Sequence, residues 1–247
     1  MGKIKSILKL TIKCIKMINA YSKFHMFIYS YIYVKIYKVF FMRMRKKWWA
    51  VPTLLDSGKA FFWPEENKGR WSEKFNNENP IHLDIGCGSG GYCLALARNN
   101  KNRNFVLWDK EAGVLVYALD ELLESKVENA LIIPREIDHV ENIFAKNEID
   151  SITIHFPNPW PKNRQNNRRL TYPSRLLKYK NILKPDGEID FRTDDDELYV
   201  DTLSYIEEVG GIILEKSYDA PPTTPISHYE ERFRENGVKI KYIRFKF

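Results

Sequence analysis

Three glycines, Gly86, Gly88 and Gly91, follow the apolar run IHLDI at 81–85 and open directly onto the helical pattern GYCLALARNN. Glycines so placed let a buried strand turn sharply into a helix, a turn found where an open α/β sheet meets its ligand. The rest of the chain keeps the same rhythm. Apolar runs at NFVLWD, ALIIPREI, SITIHF and EIDFRT alternate with helical stretches at EAGVLVYALDELLESK, VENIF, SRLLKYKNIL and DDELYVDTLSYIEEV. In the longest of these, Val114, Leu115, Ala118 and Leu122 recur at three-to-four spacing. Lys184-Pro185-Asp186-Gly187 and Gly210-Gly211 read as stop signals. The alternation predicts an α/β fold, a mainly parallel twisted sheet with helices on both faces. IILEKSY and KIKYIRFKF, bracketing a helix near HYEERFREN, are expected to add an antiparallel C-terminal edge. Trp71 to Phe75 is expected as a short helix under the sheet, inside an otherwise loop-rich stretch from 43 to 80.

At 247 residues the chain is long enough for one or two domains. Its formal charge of +7 suggests an anionic partner, but residues 1–41 hold eight lysines, no arginine and no acid. They contribute +8, which leaves 42–247 at −1, so an anion-binding surface there must be a local patch. Residues 1–41 are expected to be a basic extension, disordered or helical, or a dispensable product of an upstream start, because Met42 opens the start-like MRMRKKWWA. The longest apolar run in it, Met26 to Val34, is about nine residues against the roughly 20 needed to span a bilayer. No stable membrane insertion is expected. Three cysteines, Cys14, Cys87 and Cys93, have no metal-ligand spacing and suit a reducing compartment. The expectation is a cytoplasmic protein without a metal.

The glycine turn satisfies GxGxxG, with Asp109 at the tip of the next strand, and alone would fit a dinucleotide. Gly90 adds the alternative spacing GxGxG, and Asp84 lies just before the turn. A carboxylate there repels a diphosphate and attracts a sulfonium or an ammonium. That favours S-adenosyl-L-methionine over NAD, with Gly86 and Gly88 against the cofactor and Asp109 on its ribose.

After the fourth core strand comes Asn158-Pro159-Trp160-Pro161, a corner stiffened by two prolines. Trp160 can wall a base-sized slot, and Asn158 offers an amide to a base edge. Lys162, Arg164, Arg168 and Arg169 then cluster within eight residues, a grouping suited to phosphate oxygens. A nucleoside cofactor facing a polyanion is the combined reading.

With both segments in view, residues 42–247 resemble the bacterial tRNA (guanine-N7-)-methyltransferase family. The likeness runs through MRMRKKWWA, EENKGRW, HLDIGCGSGG, PNPWPK with RRLT, ILKPDGEIDFRTD and SHYEERF. It implies a Rossmann-like class I methyltransferase domain and methyl transfer from S-adenosyl-L-methionine to N7 of a variable-loop guanine in tRNA. It assigns Asp84, usually Glu in the family, to the cofactor, Asp109 to the ribose and Glu136 to the neighbourhood of the adenine. Asn158 stands where many members carry an Asp linked to cofactor and catalysis. Lys162, Asp194 and the Ser227-His228-Tyr229-Glu230 segment match substrate-contacting positions, with Asp194 and Glu230 as candidate readers of the guanine edge. His228 replaces a usual Glu, and Arg135-Glu136 is a variant of its motif.

Three rivals remain at this level. Asn-Pro-Trp resembles the Asn-Pro-Pro-aromatic corner of amine-directed methyltransferases. GxGxxG alone would suit an NAD-binding oxidoreductase. A tRNA binder without catalysis would explain Asn158.

Overall fold

Strands buried at every position form one end of the sheet. In the computed structural model, which describes residues 47–247, Ile81–Ile85 form β1, wholly buried. Expectations for residues 1–41, and the boundary placed at 42, lie outside the described residues. Lys47–Phe247 form one compact unit. β1 pairs in parallel with β2 (Asn104–Trp108) on one side and β4 (Ile149–His155) on the other. β3 (Ala130–Ile133) extends the first side. β5 (Leu183–Thr193) extends the second. β6 (Ile212–Ser217) and β7 (Lys241–Lys246) follow, and β7 runs antiparallel to both β5 and β6. The order is β3-β2-β1-β4-β5-β7-β6. The expected α/β architecture and its antiparallel edge are both present.

Helices α1 (Ala50–Asp56), α2 (Trp71–Phe75), α3 (Gly91–Asn99), α4 (Ala112–Glu124), α5 (Val140–Ile143), α6 (Pro173–Ile182), α7 (Asp196–Glu208) and α8 (His228–Glu235) surround the sheet. Apolar side chains from alternate strand positions feed two cores. Leu83, Ile85, Val106 and Trp108 pack with Trp71, Ile143, Leu176 and Leu198 on one face. Phe105, Leu107 and Ile132 pack with Leu54, Leu94, Leu115 and Leu119 on the other. Burial on both faces is what a parallel sheet requires.

One half of the second face is polar instead. His82 and Asp84 of β1 lie in register with Ser151 and Thr153 of β4, and these with Glu188 and Asp190 of β5. A cavity of about 350 Å³ opens over this surface, lined also by Tyr92 and Arg244.

The stretch ALIIPREI, expected as a strand and its exit, divides at Ile133, because Pro134 cannot continue the ladder. One local expectation is revised. The strand read over EIDFRT starts at Leu183, directly after α6, and takes in Pro185 and Gly187. No helix among the described residues is long and apolar enough to cross a membrane.

Candidate active site

Each parallel strand ends at the same sheet edge, and the loops that leave this edge carry nearly every residue singled out in the sequence. The turn after β1 is held down first. The N–H groups of Gly86 and Cys87 both donate to the Trp108 carbonyl, at 2.7 and 3.2 Å. Gly90, at φ 78°, is favoured for a packing reason: an added Cβ would lie 2.6 Å from Leu107 Cδ2 and 2.8 Å from Ala118 Cβ. Gly88, at φ 57°, faces open space. Its N–H donates to Asp109 Oδ2 at 3.1 Å, while Asp109 Oδ1 accepts from Glu111 N–H at 2.9 Å. Burial raises the Asp109 pKa, and those backbone donors oppose the rise. The result is a carboxylate fixed beside an open glycine turn.

Asp84 lies beneath the same turn, only 4% exposed. Its Oδ1 accepts the Thr153 hydroxyl at 2.7 Å. Burial lifts its pKa to about 6, against the lowering influence of His155 and of the Thr153 bond. A buried anion without a full counter-charge suits a cationic ligand and repels a pyrophosphate. The open space at Gly88, the carboxylate of Asp109 and the buried Asp84 therefore fit S-adenosyl-L-methionine better than a dinucleotide. Glu136, exposed after β3, pairs with Lys110 at 3.4 Å, which places it beside the Asp109 loop.

The corner after β4 is strained on both sides of Asn158. Phe156 and Trp160 adopt φ of 50° and 47°, a region costly for bulky side chains and common at functional sites. Asn158 is exposed, and its Oδ1 accepts the Trp160 N–H at 3.1 Å. The Arg168 guanidinium lies over the Trp160 ring, 5.1 Å from its centroid, a cation–π contact. Lys162, Arg164 and Arg168 are exposed along the following 3-10 turn, Asn163–Arg168.

Arg169 does not join them. It is fully buried, donates to the Pro159 carbonyl at 2.8 Å and Glu197 at 2.8 Å, and also bonds Asp201. Its expected phosphate role is therefore corrected: Arg169 pins the corner to α7. The charge run made four cations look alike, whereas Glu197 and Asp201, one turn apart on α7, draw this one inward.

The antiparallel course of β7 brings the segment between β6 and β7, and with it α8, to the same edge. Ser227 caps α8, its hydroxyl accepting the Glu230 N–H at 3.1 Å. His228 and Tyr229 are exposed. Glu230 is fully buried, its Oε1 engaged by Arg234 at 2.6 Å and Arg192 at 3.4 Å, its Oε2 by the Thr223 hydroxyl at 2.9 Å. The guanine-reading role expected of Glu230 is corrected as well, because its oxygens are committed to holding α8 on β5. Asp194 is half-buried at the end of β5, and burial raises its pKa. The cap of α7 is Asp195, whose carboxylate accepts the Leu198 N–H at 2.7 Å. That leaves the Asp194 side chain outside the cap.

Residues 78–243 match a family model described as "Putative methyltransferase". A tRNA (guanine-N(7)-)-methyltransferase of Clostridium acetobutylicum is 40% identical over 206 residues, covering 82% of this chain and 98% of that protein. One of Clostridium tetani is 42% identical with the same coverage. The chain belongs to the tRNA (guanine-N(7)-)-methyltransferase family. Among solved structures, the 16S rRNA methyltransferase KamB aligns with a TM-score of 0.56 over 72% of this chain and 93% of that one, at 12% identity. An antibiotic-related methyltransferase gives 0.54 over 72% and 92%, at 17% identity. These two share the fold.

Asp84 near the end of β1, His228 and Tyr229 in the first turn of α8, and Gly86, Gly88, Asp109, Glu136, Asn158, Lys162 and Asp194 on the loops all lie at one sheet edge. Sequence reasoning passed over the polar sheet face beneath them. His82 with Asp84, and Ser151 with Thr153 and His155, repeat at a spacing of two, which puts each set on one side of its strand. That periodicity was the available signal.

Proposed function

We propose that this chain transfers the methyl group of S-adenosyl-L-methionine to N7 of a guanine in tRNA, in the variable loop. The observation that carries the reading is a juxtaposition at one sheet edge. A glycine turn flanked by Asp84 and Asp109 lies on the same edge as a strained Asn-Pro-Trp corner with three exposed cations. The names of the 40% identical relatives support the same reaction.

When bound, S-adenosyl-L-methionine supplies an electrophilic methyl on a sulfonium. Asp84 attracts the cationic end of that ligand, Asp109 accepts from its ribose hydroxyls, and Glu136 lies toward its adenine. Lys162, Arg164 and Arg168 hold tRNA phosphates, with the Trp160 ring beside the base. Guanine N7 carries an in-plane lone pair and no proton, so no general base is required and Asn158 suffices where relatives carry Asp. The work of the site is alignment. As N7 becomes cationic, the Asp194 carboxylate at the end of β5 favours the developing charge. A tRNA substrate supports a cytoplasmic location.

The test is nucleoside mass analysis of tRNA from a source lacking this modification, after incubation with the full chain and the labelled cofactor. 7-Methylguanosine, mapped to the variable loop by nuclease digestion, is the expected product. Methylated adenosine, or binding without transfer, would overturn the reading. A chain beginning at Met42, assayed in parallel, tests whether residues 1–41 are dispensable.

A further inference from the structure

Asp84 is the end point of a line of hydrogen bonds across β1 and β4. Ser151 Oγ lies 2.7 Å from His82 Nδ1, His82 Nε2 lies 3.2 Å from Thr153 Oγ1, and Thr153 Oγ1 donates to Asp84 Oδ1 at 2.7 Å. The directions follow from valence. Thr153 has one hydroxyl proton and gives it to the carboxylate. It must then accept from His82, so the imidazole carries its proton on Nε2. Nδ1 is left as an acceptor and takes the Ser151 proton. Every donor in the line points toward Asp84. His82 is 5% exposed, and burial, with Arg103 next in importance, pushes its pKa down to about 3, which keeps the ring neutral.

We propose that Thr153 and His82 are positioning residues, a one-way relay that orients the Asp84 carboxylate and favours its ionised form for the cofactor's cationic end. Aligned donors polarise one another, so the last bond is stronger than an isolated hydroxyl bond. The outer end, Ser151, opens on the cavity over the sheet. The relay offsets the burial that otherwise favours a protonated Asp84. The inference rests on the assignment of Asp84 to the cofactor.

Other groups face Asp84 from the packed elements: His155 on β4, Asp109 after β2, Cys87 in the turn, and Tyr92 and Cys93 on α3. Burial pushes Cys87, Cys93 and Tyr92 upward, so they stay neutral through the acid range. His155 Nε2 lies 2.8 Å from Asp190 and is the group to control for.

The experiment is titration calorimetry of S-adenosyl-L-methionine binding to the full chain from about pH 5 to pH 8, a range that spans carboxylate and imidazole titration. Affinity in the parent protein falls below about pH 6. Thr153→Val moves this acid limb upward by about one pH unit, and Thr153→Ser, which keeps the hydroxyl, restores it. His82→Leu moves it the same way by less, and His82→Gln, which keeps an N–H near Nε2, restores it. Methyl transfer at saturating cofactor and about pH 8, where the carboxylate is ionised in all variants, keeps its kcat while KM at lower pH rises. A Thr153→Val limb unmoved from that of the parent overturns the relay. An acid limb abolished by His155→Gln also overturns it, by assigning the titration elsewhere. Asp84→Asn separates the two readings: parental affinity in that variant would refute the cofactor role of Asp84, whereas lost affinity with unmoved relay variants would refute only the relay. Circular dichroism melts confirm that each variant is folded.

Discussion

Arg192 and Glu230 meet 3.4 Å apart in the protein interior, one on β5 and the other on α8, and each side chain is almost wholly buried. Arg234 closes on the same carboxylate at 2.6 Å, and Arg192 also donates to the Pro221 carbonyl at 3.0 Å. The segment that carries Ser227, His228 and Tyr229 is thus fastened to the sheet by charge, reinforced by the Phe156–Phe233 ring contact at 5.6 Å.

Glu230→Ala is expected to destabilise the protein by about 3 kcal/mol or more, because it strands a buried arginine. Each kcal/mol lowers Tm by about 2–4 °C in a domain of this size. Differential scanning fluorimetry reads the loss directly. A variant with unchanged Tm and abolished methyl transfer would instead make Glu230 a substrate contact.

The basic loop divides by function. Arg169→Ala is expected to cost about 2–3 kcal/mol of stability, since a buried guanidinium with four partners, Pro159, Glu197, Asp201 and Tyr205, is removed. Arg164→Ala and Arg168→Ala are expected to leave Tm nearly unchanged and weaken tRNA binding. Filter binding across salt concentrations should give a log–log slope shallower by about 0.7–0.9 for each lost phosphate contact. Equal slopes in parent and variants would remove these arginines from the tRNA surface.

The strand-helix rhythm was legible because its signals are local: Leu83 and Ile85 alternate, and Leu115, Leu119 and Leu122 recur along one helix face. Trp71–Phe75 was also legible. Helix Ala50–Asp56 was not. It is seven residues long, holds Pro52, and its first turn has no side-chain cap. Ala50 and Leu54 are buried in the core that α4 also lines, so tertiary packing holds it where local propensity does not. The cofactor-side candidates could be named from the sequence because the glycine turn and the strand-end acids fix their positions along the backbone. Arg169 and Glu230 were misread because burial of a charge depends on partners distant in sequence, such as Asp201 and Arg192. Thr153 and His82 were missed because their partners lie on a different strand.

The glycines of the turn should separate stability from binding. Gly90→Ala is expected to lose about 2–3 kcal/mol, from contacts of 2.6 and 2.8 Å and a positive φ. Gly88→Ala meets open space, so its cost is the φ strain of about 1 kcal/mol. Its larger effect is a raised KM for S-adenosyl-L-methionine, from a methyl group on the cofactor side of the turn. Steady-state kinetics with varied cofactor, beside thermal melts, distinguish the two. A Gly88→Ala variant with parental KM would move the cofactor away from this turn.

Asp84 links function to a stability cost. Its pKa in the folded protein is about 6, above the usual 3.8, so between these values the native state binds more protons than the unfolded chain. Stability without ligand therefore falls as pH rises from about 4 to about 6, by up to about 3 kcal/mol. Asp84→Asn removes the titration and keeps an oxygen for the Thr153 hydroxyl. It is expected to raise the ligand-free Tm at pH 7 relative to the parent and to equal it near pH 4. The same variant should lose most of its affinity for S-adenosyl-L-methionine. Urea unfolding at several pH values measures the first effect and calorimetry the second. An Asp84→Asn protein no more stable than the parent at pH 7 would mean that the buried carboxylate is already compensated, and that cofactor binding relieves no electrostatic strain there.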